Sequence, residues 1–109
     1  MSILTIKRGD TWKVTFTYKQ PDGSPLDLTG CSARLQVRSK SNGELLLSAD
    51  TTLGGLTLTP AEGLLTLTAA TDDLPVGSHE FDLEMTYADG SIQSTDTMIL
   101  KVLADISRD

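Results

Sequence analysis

From Trp12 to Tyr18 the sequence alternates without a break: Trp12, Val14, Phe16 and Tyr18 fall on one side, Lys13, Thr15 and Thr17 on the other. A period of two marks a half-buried strand, because successive side chains point to opposite faces. The pattern extends to Lys19 and returns at Cys31–Arg38, where Cys31, Ala33, Leu35 and Val37 interleave with Ser32, Arg34, Gln36 and Arg38. It appears again at Ser78–Tyr87, where Phe81, Leu83, Met85 and Tyr87 interleave with Glu80, Asp82 and Glu84. The 3.6-residue period of an amphipathic helix is nearly absent. Such a chain is predicted to be all-β.

The intervals between these runs are written in turn residues. "QPDGSP" (Gln20–Pro25) and "SKSNG" (Ser39–Gly43) supply Pro, Asp-Gly and Asn-Gly, and Asp89-Gly90 repeats the signal. Ile3–Ile6 is a short apolar start, and Leu26–Gly30 reads as an extended connector. Glu44–Ala49, Leu56–Thr59 and Leu64–Thr68 read as short strands separated by "TTLGG" and "PAEG". "LTLT" occurs twice, at Leu56–Thr59 and Leu65–Thr68, and two adjacent hairpin strands explain it better than a repeat architecture does. Thr71–Ser78 is predicted to be a corner with one helical turn, capped by Thr71 and ended by Pro75 and Gly77. The longest hairpin joins His79–Ala88 to Ser91–Leu103. Seven or eight short strands at regular spacing predict an immunoglobulin-like antiparallel β-sandwich, a single domain over residues 1–109.

Charge placement predicts the topology. Arg34 and Arg38 lie on the polar face of one strand, and Glu80, Asp82 and Glu84 on the polar face of another. Opposite charges suit neighbouring strands. The strand with Lys13 and Lys19 on its polar face is then assigned to the other sheet. Trp12, Phe16, Leu35, Val37, Leu67, Phe81, Leu83 and Met85 are the expected core.

Bulk properties limit the function. A net charge of −6 argues against a nucleic-acid backbone as main partner, since phosphate binding needs a basic footprint. No apolar run approaches the length of a membrane span. Cys31 is the only cysteine, which excludes an intrachain disulfide and a cysteine metal cluster. Residues Met1–Lys7 lack the apolar core of a signal peptide, so folding in a reducing cytoplasm is expected.

The stretch "RGDTWKVTFTYKQPDGSPLDLTGCSARLQVRSK" resembles the opening of a group of bacteriophage and prophage tail and baseplate structural proteins. Their pattern is Gly-Asp-Thr, an alternating strand, an Asp-Gly turn, Pro-x-Asp-Leu-Thr-Gly, and a strand ending in Val-Arg. "LPVGSHEFDLEMTYADGS" is similar to a later block of the same group, with His79 where a tyrosine is expected. The group includes the N-terminal domain of the baseplate upper protein of lactococcal phages. The resemblance implies an immunoglobulin-like sandwich, a location in the virion, other virion proteins as partners and no enzymatic activity. It covers nearly the whole chain, but Asp109 ends it without the long C-terminal extension of baseplate proteins.

Several residues invite a chemical role. Arg8-Gly9-Asp10 spells a cell-adhesion tripeptide, but a strand begins two residues later and the tripeptide reads as the turn that launches it. His79 is the only histidine; with no nucleophile motif and no second histidine, it reads as a structural residue at a sandwich corner. Asp22, Asp72, Asp73 and Asp89 lack the spacing of a calcium loop and suit turns. Trp12 and Tyr18 would suit a sugar-stacking platform, but they share a face with Val14 and Phe16 and so read as core. No catalytic, cofactor-binding or metal site is predicted. The function expected is a virion building block acting through protein–protein contact. A capsid decoration protein and a free-standing carbohydrate-binding module are the alternatives. Ile3–Ile6 or Ser91–Leu103 is expected at a sheet edge, where it would support a homo-oligomer or docking onto a larger ring.

Overall fold

The computed structural model describes residues 3–104. Nine strands follow one another: β1 (Ile3–Lys7), β2 (Thr11–Thr17), β3 (Ser32–Ser39), β4 (Leu45–Asp50), β5 (Leu56–Thr59), β6 (Leu64–Ala70), β7 (Gly77–Thr86), β8 (Ile92–Ser94) and β9 (Met98–Leu103). They form two sheets. The larger has the order β1-β9-β7-β3-β4, with β8 also pairing with β7; the smaller has the order β2-β6-β5. Among the described residues no helix is long and apolar enough to cross a membrane.

The alternating runs form strands because each can bury one face. Trp12, Leu35, Val37, Leu65, Leu67, Phe81, Leu83, Met85, Leu100 and Val102 pack between the sheets in one core cluster, while the intervening polar residues face out. Phe16, Tyr18 and Tyr87 are only half-buried at its margin. The extended connector contributes more to the core than its pattern suggested: Leu28 is fully buried, and its N–H bonds to Pro60 O at 3.0 Å.

The charge-derived topology holds. β3 and β7 are antiparallel neighbours with Arg34 opposite Glu84, Gln36 opposite Asp82 and Arg38 opposite Glu80, and β2 lies in the other sheet.

Three expectations are corrected. The corner Thr71–Ser78 forms no helix; it opens with a tight turn closed by Leu74 N–H to Thr71 O at 3.1 Å, and Leu74 plugs the core. Among the described residues the one helical turn lies at Pro60–Glu62, a 3-10 turn within "PAEG". It ends at Gly63, whose φ of 66° and close approach to Tyr18 O and Leu26 O leave no room for a side chain. Ser91–Leu103 is not one strand: β8 and β9 pair with β7 in registers that differ by one residue, and Thr95–Thr97 takes up the shift. Finally, the sandwich is not wholly antiparallel, because β1 runs parallel to β9 with Ile3 beside Ile99 and Lys7 beside Leu103.

Candidate functional site

The Arg8-Gly9-Asp10 turn is a fixed joint. Gly9 has a φ of 96°, a conformation that suits glycine. Its N–H donates to Thr71 Oγ1 at 2.9 Å, and the Thr71 hydroxyl donates in turn to Asp10 O at 2.6 Å. Thr71 is fully buried, and Arg8 N–H bonds to Leu103 O at 2.9 Å. One hydroxyl therefore bridges the start of β2 to the end of β6. Sequence reasoning had Thr71 as a helix cap; its true partners lie 61 and 62 residues away, beyond any local signal.

His79 occupies a corner. It is 5% exposed, and Nε2 lies 2.7 Å from Pro75 O. A carbonyl only accepts, so Nε2 carries a proton, and Nδ1 is buried without a hydrogen-bond partner among the described residues. In immunoglobulin-type sandwiches a corner tyrosine two residues before the second core cysteine bonds the backbone upstream. Phe81 stands at that cysteine position and packs on Trp12 of the opposite sheet, so His79 performs the tyrosine's task.

The turn aspartates are likewise engaged in structure. Asp22 Oδ1 accepts from Ser24 N and Oγ, Asp27 Oδ1 from Thr29 N and Oγ1, and Asp89 Oδ1 from Ser91 N and Oγ, each at 2.6–2.9 Å. The hydroxyl bond, reinforced by the backbone N–H, lowers the carboxyl pKa of all three. Asp72 and Asp73 lie in the bend at the Thr71 corner. Among the described residues no three His, Cys, Asp or Glu side chains come together as a metal-binding group. Cys31 is a free, half-buried thiol. Trp12 is buried, and burial, with the nearby Tyr87, raises the pKa of the half-buried Tyr18.

The outer face of the larger sheet carries the charge. Arg34 Nη2 meets Glu84 at 3.4 Å, whereas Arg38 turns to Gly43 O and Gln36 Oε1. A shallow depression of about 230 Å³ lies there, lined by Gln36, Arg38, Glu80, Asp82 and Thr97. A second, of about 500 Å³, separates the Ser39–Glu44 turn from Pro75–His79. Both are open.

Of the two expected edges, β1 is one. β9 is not, since β1 and β7 flank it; within Ser91–Leu103 it is β8 that leaves an outer margin uncovered.

No family model matches the sequence, and no curated protein sequence matches it. Solved structures do. CopC from Methylosinus trichosporium OB3b aligns over all of this chain and 91% of its own, with a TM-score of 0.59 and 16% identity. Drosophila OTK extracellular domains 3–5 align over 96% of this chain and 33% of their own, with a TM-score of 0.45 and 21% identity. Murine CRIg aligns over 96% and 93%, with a TM-score of 0.43 and 15% identity. Together with the strand order, the first of these settles the architecture. The fold is an immunoglobulin-like β-sandwich.

Proposed function

We propose that this chain is a structural building block of a bacteriophage or prophage particle, acting in the tail or baseplate through protein–protein contact and without chemistry of its own. One observation carries the reading: the quoted motifs of the phage resemblance are the joints of this sandwich. Gly9-Asp10-Thr11 is the Thr71-locked turn, Asp22-Gly23-Ser24 and Asp89-Gly90-Ser91 are self-bonded corners, and Asp27-Leu28-Thr29 seats a buried leucine. A module whose polar groups brace its corners offers partners a fixed shape.

The test is physical association with particles. After prophage induction in the source bacterium, particles banded in a density gradient should contain the chain at a fixed ratio to tail proteins. Tail-less heads prepared in parallel should lack it. Recovery with heads would favour capsid decoration, and absence from all particles would refute the proposal.

A further inference from the structure

The outer margin of the larger sheet is stepped. β8 and β9 lie on the same side of β7, but β1 covers only Ile99–Leu103, so a notch one strand wide is left beside Ile92–Asp96. We propose that two copies of this chain interlock across this step. Around a two-fold axis normal to the sheet, β1 of each copy fills the notch beside β8 of the other.

The backbone supports this pairing. Arg8 N–H points to Leu103 O, so in a parallel ladder Ile3, Thr5 and Lys7 turn their N–H and C=O groups away from β9. Tyr87 N–H reaches Ser91 O and Thr95 N–H reaches Leu83 O, so Ile92 and Ser94 turn theirs away from β7. The rotation sets β1 antiparallel to β8 of the other copy, with both outward rows facing each other. Thr5–Lys7 of β1 match the three residues of β8, Ile92–Ser94. Lys7 then lies opposite Ile92 and Thr5 opposite Ser94, with all four side chains on the outer face, and Ile3 lies toward the irregular Thr95–Thr97 segment.

Charge gives the pairing its direction. The projecting step ends in Lys7 and Arg8, whereas the notch is bordered by Asp89, Asp96 and Glu84. The register sets Arg8 of one copy beside Ser91 and Asp89 of the other. Lys7 on a solvated β1 would be the usual guard against edge pairing, but facing this acidic notch it becomes a complement. β8 has no charge, proline or glycine within Ile92–Ser94 to deter a partner, and Ile92 is 62% exposed. The two β1 strands would meet end to end at the axis. Ile3, now 64% exposed, would there find its twin beside Ile99, which is buried on the outer face apart from the core cluster. The contact is isologous and closes on itself as a dimer. It stands independently of the particle to which the module belongs.

Sedimentation velocity from micromolar to millimolar protein should show a reversible monomer–dimer equilibrium that weakens as salt rises. Thr5→Pro and Ser94→Pro each remove one outward N–H without touching the chain's own ladder. By symmetry each deletes two intermolecular bonds and should weaken the dimer by roughly tenfold or more, with thermal unfolding little changed. In a Cys31→Ser background, Thr5→Cys with Ser94→Cys should form an intermolecular disulfide on oxidation, since opposed strand positions sit about 5.5 Å apart. Ser48→Cys with Ser94→Cys should not. A chain that stays monomeric at millimolar concentration, or a dimer indifferent to both proline variants, would overturn the proposal.

Discussion

Trp12 of β2 and Phe81 of β7 meet edge to face across the sandwich, with ring centroids 5.3 Å apart and planes at 86°. Immunoglobulin domains with a disulfide join the same two strands covalently at this place. Here two aromatic rings make the connection, in a chain whose single cysteine has no intrachain partner.

Phe81→Ala should therefore cost roughly 3–5 kcal/mol of stability, through lost burial and the cavity left behind. A double-mutant cycle with Trp12→Leu should add a coupling of about 0.5–1.5 kcal/mol for the ring pair. Urea unfolding measures both; a loss under about 1 kcal/mol for Phe81→Ala would contradict the core described above.

Thr71→Val keeps the shape of the side chain and removes the hydroxyl that ties Gly9 N–H and Asp10 O. Leaving both groups without their partner should cost about 1–3 kcal/mol. Amide exchange at Gly9 should quicken more than at the strand centres. Unchanged exchange there would show that the hydroxyl is not the latch.

Arg34→Glu sets a carboxylate opposite Glu84 and Asp50. The Arg34 side chain is 51% exposed, so the pair is well screened, and the loss should be a few tenths to about 1 kcal/mol, shrinking at high salt. Arg38→Glu exchanges bonds to Gly43 O and Gln36 for repulsion from Glu80 across the strand pair, and should show the same salt dependence.

Asp22, Asp27 and Asp89 have carboxyl pKa values lowered by hydroxyl and amide donors, so the folded state favours their ionised forms. Their contribution is fully present above the ordinary aspartate pKa of about 3.9, and is lost as pH falls through the lowered folded values. Carbon-detected NMR titration should place Asp89 below ordinary aspartates, and Ser91→Ala should move it back up. A Ser91→Ala chain with an unmoved Asp89 would contradict the cause assigned here.

What the sequence disclosed is what local pattern encodes. Alternation places Leu35, Val37, Phe81, Leu83 and Met85 inside, and the opposite signs on Arg34 and Glu84 mark β3 and β7 as neighbours. Turn chemistry located the corners at Asp22 and Asp89. The hidden features depend on contacts between distant residues. The partners of Thr71 are far away in the chain, the parallel union of β1 with β9 joins the two ends of the fold, and Leu28 packs from a segment with no period. The break at Thr95–Thr97 was hidden for a different reason. The side-chain hydroxyl of Thr95 accepts the Leu83 N–H at 3.1 Å, where a regular ladder would use a carbonyl, and a threonine in a β-rich run gives no warning of that.

The parallel pairing of β1 with β9 also sets how the domain carries load. The chain enters this pair at Ile3, beside Ile99, and leaves it at Leu103, beside Lys7, so the two ends of the pair point in opposite directions along the strands. Tension applied through residues flanking the pair would pull β1 and β9 past each other. The hydrogen bonds between parallel strands lie across that pull and share it, instead of opening one after another as in an unzipped hairpin. Force spectroscopy with handles at the two ends should show a single high rupture force, reduced by Ile6→Pro, which removes an N–H directed at β9. A domain built this way is suited to bearing tension along its strands.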